Sequence, residues 1–291
     1  MSREPESPIS RRRFLELSAG ACAFASAGAL AGCGGDSATG GNSPPIGVQL
    51  YSVRHELEED FEGTIARLAE MGFEGVEFAN YFDHSAEELR SILDDNGLAC
   101  CGTHIYLEDL LGGSFEETVA FSETLENEYF IVRWIPEERR TDRAAFMKTV
   151  EDFNRVAERL APRGMQVGYH NHDYIFETFD GDLMWDLLAE NTRDDVILQL
   201  DTGHAAGIGQ DPVGLLKRHP GRTTTLHAKP YSGANEAAVI GEDELDWGQI
   251  IETAEEVGGT EWHILEYEVE GVPPLEALDR CLTNFRQLRQ A

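Results

Sequence analysis

Histidines and isolated carboxylates in this chain gather at the ends of short apolar runs. One run ends at His104, and Gly75–Asn80 carries Glu77. Another ends Gly168-Tyr169-His170-Asn171-His172-Asp173, where a period of two puts His170 and His172 on the same face of a strand. Further on come Leu198-Gln199-Leu200-Asp201-Thr202-Gly203-His204 and Leu226-His227-Ala228-Lys229-Pro230. The last is Trp262-His263-Ile264-Leu265-Glu266-Tyr267-Glu268, with Glu266 and Glu268 sharing a face. Taken singly these residues are ordinary: a strand-end histidine commonly serves as hydrogen-bonded scaffolding, and an Asp before Thr-Gly can cap a turn. Gathered at one mouth, His170, Asp201, His227 and Glu266 bring two carboxylates together in poorly solvated space, which a divalent cation relieves. Two imidazoles and two carboxylates suit Mn²⁺, Co²⁺, Zn²⁺ or Fe²⁺ better than Ca²⁺, with Mg²⁺ also admissible.

A common mouth requires elements that deliver it. From Ile46 onward, β-rich runs alternate with longer helical patterns. The strand-like runs are Ile46–Ser52, Gly75–Asn80, Leu98–Ile105, Tyr129–Ile135, Gln166–His172, Val196–Asp201, Thr223–Lys229 and Trp262–Glu268. The helical patterns cover Phe61–Met71, Ala86–Asn96, Ser114–Asn127, Asp142–Arg163, Leu183–Glu190, Pro212–Arg218, Trp247–Val257 and Pro274–Gln290. Ser85 with Glu88 three residues on reads as a capping box, and Gly97, Gly164 and Gly258 follow helices where a left-handed residue is wanted. Eight β/α units between residues 46 and 291 predict an α/β fold, a single (β/α)₈ TIM-barrel domain, whose typical size is about 250 residues. An open doubly wound sheet would show a phosphate loop after its first strand, and Gln49-Leu50-Tyr51-Ser52-Val53 is not G-x-G-x-x-G. In such a barrel, chemistry sits at the C-terminal ends of the strands, where the polar residues fall. The adjacent Cys100 and Cys101 point to opposite faces of a strand and make poor partners, so buried thiols are expected there and at Cys281.

The first 45 residues read as an address. Ser10-Arg11-Arg12-Arg13-Phe14-Leu15 resembles a twin-arginine export motif, and the apolar run Leu17 to Leu30 is too short for a permanent membrane span. Leu30-Ala31-Gly32-Cys33 matches a lipoprotein cleavage box, with Cys33 the lipidation site and only membrane anchor. The expected organisation is a signal peptide over 1–32, a Gly/Ser/Pro tether over 33–45 and the barrel over 46–291, in an exported, periplasmic or cell-surface lipoprotein. The formal charge of −31 argues against a nucleic-acid partner, because an acidic surface repels phosphate backbones. Lysine occurs three times, at Lys148, Lys217 and Lys229, which makes one at a strand end notable.

At these segments the chain resembles the xylose-isomerase-like (β/α)₈ superfamily, and within it the bacterial sugar phosphate isomerase/epimerase proteins. The resemblance rests on Gly47-Val48-Gln49-Leu50-Tyr51-Ser52-Val53-Arg54 and Tyr169-His170-Asn171-His172-Asp173. It also rests on Leu200-Asp201-Thr202-Gly203-His204, His227-Ala228-Lys229 and Gly241-Glu242-Asp243-Glu244-Leu245-Asp246-Trp247. Carried over by position, it implies metal ligands at His170, Asp201, His227 and Glu266. The ketose epimerases of the superfamily place a glutamate where His170 stands and use two glutamates for proton transfer. Here Glu266 alone remains, and Pro230 replaces the Asp of the usual His-x-Lys-Asp segment. The resemblance implies proton abstraction beside a ketose carbonyl, through an enediolate that a bound cation stabilises.

For that chemistry Glu266, His104 and Lys229 are the candidate catalytic residues, Lys229 as the group that neutralises an oxyanion or protonates a leaving hydroxyl. Glu77, His172, His204 and Glu268 are candidate substrate contacts, with Glu77, His172 and Glu268 further candidates for the general base. The expected activity is a metal-dependent sugar isomerase or epimerase acting on a keto-sugar or glycoside. A keto-sugar dehydratase or lyase using the same metal is the first alternative, and a non-catalytic sugar-binding lipoprotein the second. The partner is a small neutral sugar, since the negative field repels phosphorylated substrates; an abasic-DNA nuclease on the same fold is disfavoured by that field, and an oligomer is compatible.

Overall fold

The computed structural model describes residues 43–269 and 271–291. The export motif, the apolar run, Cys33 and the tether up to residue 42 lie outside the described residues.

Each predicted β-rich run contains a barrel strand: β1 (Ile46–Gln49), β2 (Gly75–Phe78), β3 (Ala99–Ile105), β4 (Tyr129–Val132), β5 (Gln166–His170), β6 (Ile197–Gln199), β7 (Thr225–Ala228) and β8 (Trp262–Leu265). All pair in parallel in the order β6-β5-β4-β3-β2-β1-β8-β7, and an isolated parallel bridge between Asp201 and His227 links the two ends into a nearly closed (β/α)₈ barrel. The strands are buried along almost their whole length, which is why they read as continuous apolar runs.

Outside lie α1 (Phe61–Met71), α2 (Ala86–Asp95), α3 (Phe115–Thr124), α4 (Arg143–Leu160), α5 (Met184–Asn191), α6 (Pro212–Arg218), α7 (Trp247–Thr253) and α8 (Pro274–Leu288). Their starts follow the capping chemistry of the sequence: the Ser85–Glu88 box is closed, and Asp60, Asp142, Asp211 and Asp246 each accept a first-turn N–H. Gly97 and Gly164 take the expected left-handed conformation, with φ of 67° and 72°. Gly258 does not; a π turn over Ala254–Gly258 prolongs α7, and Gly259, with φ of 74°, ends it instead. Phe153 of α4 packs edge-on against Tyr169 of β5 at 6.3 Å, and Trp247 of α7 against Phe285 of α8 at 6.2 Å.

Three features position the polar residues. First, the ladders stop earlier than the apolar runs: at Gln199, Ala228 and Leu265 rather than Asp201, Lys229 and Glu268. Asp201 becomes the N-cap of a short helix, Thr202–Gly207, and Pro230 offers no N–H to prolong β7. Asp201, Lys229, Glu266 and Glu268 therefore project from the segments that leave the strands. Second, the register between β2 and β3 slips by one residue at Glu77, pairing Val76 with Cys100 and Glu77 with Gly102. A Cβ at position 102 would stand 2.6 Å from Glu77 Oε1, so glycine there makes room for the carboxylate. Third, a Cβ at Gly203 would stand 2.8 Å from Lys229 Cγ; glycine lets the lysine stem cross beneath the short helix. Cys100, Cys101 and Cys281 are buried free thiols, and burial pushes Cys100 up to about 12.

Candidate active site

The lowest polar layer is built around Glu77, which has no exposure. Its carboxylate accepts hydrogen bonds from Gln49 Nε2 at 2.6 Å, Gln199 Nε2 at 2.8 Å, His227 Nε2 at 2.6 Å and His104 Nε2 at 3.0 Å. Burial alone would raise its pKa, but the neighbouring His104 and His227 hold it well below the usual carboxylate range. Gln199 is oriented by donating to Glu77 and, at 2.9 Å, to Thr225 Oγ1, so its oxygen faces His170 Nδ1 at 3.0 Å and His104 Nε2 at 3.0 Å. An amide oxygen only accepts, so His170 carries its proton on Nδ1 and leaves Nε2 as a lone pair. Burial among other histidines drives the His170 pKa far down, which keeps the ring neutral.

Above this layer, one ligand atom each from His170, Asp201, His227 and Glu266 lies within 4.8 Å of the others, and all four residues are buried. Asp201 Oδ1 accepts the His204 N–H at 2.7 Å, and Asn171 clamps the Asp201 backbone. Its Oδ2 is buried with no hydrogen-bond partner and sits 3.9 Å from His227 Nδ1. His227 is held between two carboxylates, Nε2 to Glu77 and Nδ1 to Glu266 Oε2 at 2.6 Å. Burial would depress its pKa, but Glu77 and Glu266 outweigh it and push the imidazole up to about 10. A protonated His227 thus occupies the electrostatic place of a cation. Lys229 donates to Glu266 Oε1 at 3.1 Å and to Glu268, and its ammonium is stabilised by Glu266, Asp201 and Glu268 against the cost of burial. Glu77, Asp201, Glu266 and Glu268 are four carboxylates facing two cations, a deficit of two positive charges.

The orphaned Asp201 oxygen, the free Nε2 of His170 and this charge deficit fit a divalent metal ion. His170 Nε2, Asp201 Oδ2, His227 Nδ1 and Glu266 would hold it, while Glu77 takes the Nε2 proton of His227 in the carboxylate–histidine–metal relation that orients metal-binding imidazoles. The chemistry such an ion supplies is Lewis-acid polarisation of a carbonyl oxygen.

The cavity over this cluster has a volume of about 520 Å³. His170, His172, His204, Glu266 and Glu268 line it on the side of the β5, β6 and β8 ends. Gln49, Tyr51, Ala79, His104, Tyr106, Arg133 and Trp134 line the side of β1 to β4. Burial, with His204 close by, lowers His172 to about 3, and its Nδ1 is buried without a partner. Burial and the charge of Glu266 raise Glu268.

The structure brings His104, His170, His172, His204, Glu266 and Glu268 to the cavity, with Asp201 and His227 directly beneath. It moves two expected residues away from it. Glu77 was expected to contact substrate; it lies below the cavity, walled off by the residues it bonds. Lys229 stands behind Glu266 and Glu268 rather than on the lining. Gln49, Gln199, Arg133 and the rim aromatics were not anticipated. Gln49 and Gln199 were detectable as lone amides inside apolar strands, and Gln199 shares the period-two face of Asp201. Arg133 and Trp134 follow directly on the apolar run of β4, and Arg133 stacks over Tyr106 at 4.2 Å while bonding Ala79 O at 3.0 Å.

A family profile for the xylose isomerase-like TIM barrel matches residues 65–288. Among curated relatives, a protein named inosose dehydratase from Erwinia tasmaniensis is 25% identical over 193 residues, covering 59% of this chain and 64% of that protein. The rhizopine catabolism protein MocC of Rhizobium meliloti is 30% identical over 131 residues, covering 39% of this chain and 40% of that protein. The matched segments thus span less than two thirds of these relatives. A crystal structure of a sugar phosphate isomerase/epimerase from Parabacteroides distasonis superimposes with a TM-score of 0.70 at 22% identity, covering 84% of this chain and 97% of that one.

Proposed function

The chain belongs to the xylose isomerase-like TIM-barrel family, and from that premise we propose that it is a metal-dependent enzyme that removes the proton beside the carbonyl of a neutral keto-polyol or keto-sugar and expels the β-hydroxyl as water. The observation that carries this reading is the placement of carboxylates. Among the described residues lining the cavity, the carboxylates are Glu266 and Glu268, both leaving β8, and the facing wall from β1 to β4 has none. Epimerisation by two carboxylates needs one on each face of the substrate; a single carboxylate wall suits removal and return of a proton on one face.

His170, Asp201, His227 and Glu266 would hold the cation, whose Lewis acidity would polarise the carbonyl. Glu268 takes the proton from carbon: it lines the cavity, and burial beside Glu266 makes it a stronger base than an ordinary carboxylate. Lys229, bonded to both glutamates, keeps Glu266 ionised and steadies Glu268. The proton on Glu268 then passes to the departing β-hydroxyl on the same face. Substrate minus water gives the unsaturated ketone, and Glu268 returns to its carboxylate form. His104, His172 and His204 contact the remaining hydroxyls, and Arg133 fixes an oxygen on the opposite wall. The relatives named inosose dehydratase support elimination as the outcome. Isomerisation or epimerisation is the second reading, favoured by one observation: His172 is a neutral imidazole on the cavity wall, a second proton acceptor besides the β8 carboxylates. Export and lipidation at Cys33 complete the proposal.

The test is incubation of the metal-loaded protein with a panel of inososes and keto-sugars in D₂O. An unsaturated ketone carrying no net excess of epimer supports dehydration. Deuterated epimer without unsaturated product moves the assignment to the second reading. Binding without exchange at carbon leaves a sugar-binding protein.

A further inference from the structure

A second cavity, of about 530 Å³, opens beside the first and shares Trp134, His172 and His204 with it. Its other lining residues are Asp173, Tyr174, Phe176, Glu177 and Ile208. The large hydrophobic residues exposed among the described residues are Tyr51, Tyr106, Trp134 and Ile208, and all four line one or other of these cavities. Trp134, 40% exposed, stands at the join. Its ring is fixed edge-on by Tyr174 at 4.8 Å and by His172 at 5.3 Å. Tyr174 is in turn pinned by the Arg140 guanidinium at 3.9 Å and by its hydroxyl oxygen, which accepts from the Tyr169 hydroxyl and the Ile135 N–H, both at 2.9 Å. A solvent-facing indole held this firmly is a prepared platform, since its ordering cost is met by folding.

We propose that the second cavity is a subsite for a second sugar ring, so that the substrate is a glycoside whose keto-sugar ring enters the metal cavity and whose attached pyranose stacks beside Trp134. Aromatic faces of Trp134 and Tyr174 with the Ile208 side chain suit the apolar face of a pyranose, and Asp173 and Glu177 offer acceptors for its hydroxyls. Each cavity separately falls in the range of roughly 300–1,000 Å³ of small-ligand sites, so one ring in each is a natural division. Asp173 and Glu177, in a chain of formal charge −31, disfavour an anionic substituent in that position and leave a neutral sugar.

This inference rests on the keto-sugar reading for the first ring, but binding and turnover separate the two. Metal-loaded protein is examined by saturation-transfer NMR and calorimetry with D-fructose and with the ketose disaccharides lactulose, turanose and isomaltulose. At least one disaccharide binds about tenfold more tightly than fructose, the scale of one aromatic stacking contact. Ile208→Arg, which intrudes on the second cavity only, brings that advantage below about twofold, and Trp134→Ala does the same, each with unchanged metal content and unfolding temperature. Disaccharides that bind no better than fructose, or that give no signal, overturn the subsite, as does an advantage untouched by both substitutions. Exchange at carbon in fructose without a disaccharide preference would leave the reaction standing and the subsite refuted; preference without exchange would do the reverse.

Discussion

The two halves of the barrel mouth are built from the same strands and the same buried apolar core, yet they carry opposite chemistry. The half formed by β5 to β8 holds His170, Asp201, His227, Glu266, Lys229 and Glu268, a dense set of charges taken out of water. The half formed by β1 to β4 presents the aromatic rings of Tyr51, Tyr106 and Trp134 with one cation, Arg133, and, among the described residues, no carboxylate on the lining. Between them Glu77 and Gln199 form a bonded floor that reaches from β2 to β6. The difference teaches that charge is concentrated where a cation can neutralise it, while the facing wall is left to recognise a substrate. Aspartate with an unpartnered buried oxygen is tolerable only on the first side.

The sharpest way to break this division is to remove a cation ligand. Asp201→Ala is expected to reduce bound Mn²⁺ or Co²⁺ from about one per chain to near none, and to lower deuterium exchange by about a thousandfold or more, on the scale of losing a group central to transition-state stabilisation. Elemental analysis after dialysis checks the first and NMR the second; unchanged stoichiometry would reject Asp201 as a ligand. Glu77→Gln comes next. It keeps the shape of the floor and removes the carboxylate that orients His227, so metal affinity should fall about 10- to 100-fold. Calorimetric titration with Mn²⁺ reads this directly, and an affinity within twofold of wild type would reduce Glu77 to packing.

The pH response of the metal-free protein sharpens the comparison further. His227 is raised from an unfolded value near 6.5 to about 10 in the fold. The stability it contributes is therefore complete below about 6.5 and is lost as pH rises toward 10. With chelator present, the unfolding temperature should fall across that window, more in wild type than in His227→Gln. Metal should flatten the fall, because metal displaces the Nδ1 proton; for the same reason its affinity should climb with pH. A chelated protein whose stability rises from pH 7 to 9 relative to His227→Gln would contradict the assignment. The smallest effects belong to the facing wall. Tyr106→Ala should weaken sugar binding by about two- to tenfold through lost contact area while leaving metal stoichiometry intact, as measured by calorimetry. A loss of metal in that variant would mean the two halves are not separable.

Much of this architecture was legible before any coordinates. The (β/α)₈ plan followed from alternation, and Phe61–Met71 and Pro212–Arg218 were bounded correctly because Asp60 and Asp211 cap them and Gly72 and His219 end them. The cluster was legible because histidines and carboxylates are conspicuous at the ends of apolar runs. Depth was not legible. Period two gives the face of a strand, not the layer, so Glu77 read as a rim residue although it lies within the β2 ladder, on the floor, where Gly102 leaves room for its carboxylate. Gln199 escaped notice because an amide carries no charge, and its importance lies in bonds to four other strands' residues that no local pattern encodes. The rim aromatics escaped because Trp134 beside Ile135 reads as a continuing strand. At the N-terminus, replacement of Cys33 by Ser is expected to abolish lipid attachment, visible as loss of the acyl mass; a protein that keeps it would remove the anchor from the proposal.

The claim on which the rest depends is that four side chains from neighbouring strands share one divalent ion. Crystals soaked in Mn²⁺ and measured at its absorption edge test it most directly. The expected map has one strong anomalous peak within bonding distance of His170 Nε2, Asp201 Oδ2, His227 Nδ1 and a Glu266 oxygen, with the His227–Glu266 hydrogen bond broken. A peak elsewhere, or an ordered site in which His227 still bridges Glu77 and Glu266 with no ion beside Asp201, would contradict it.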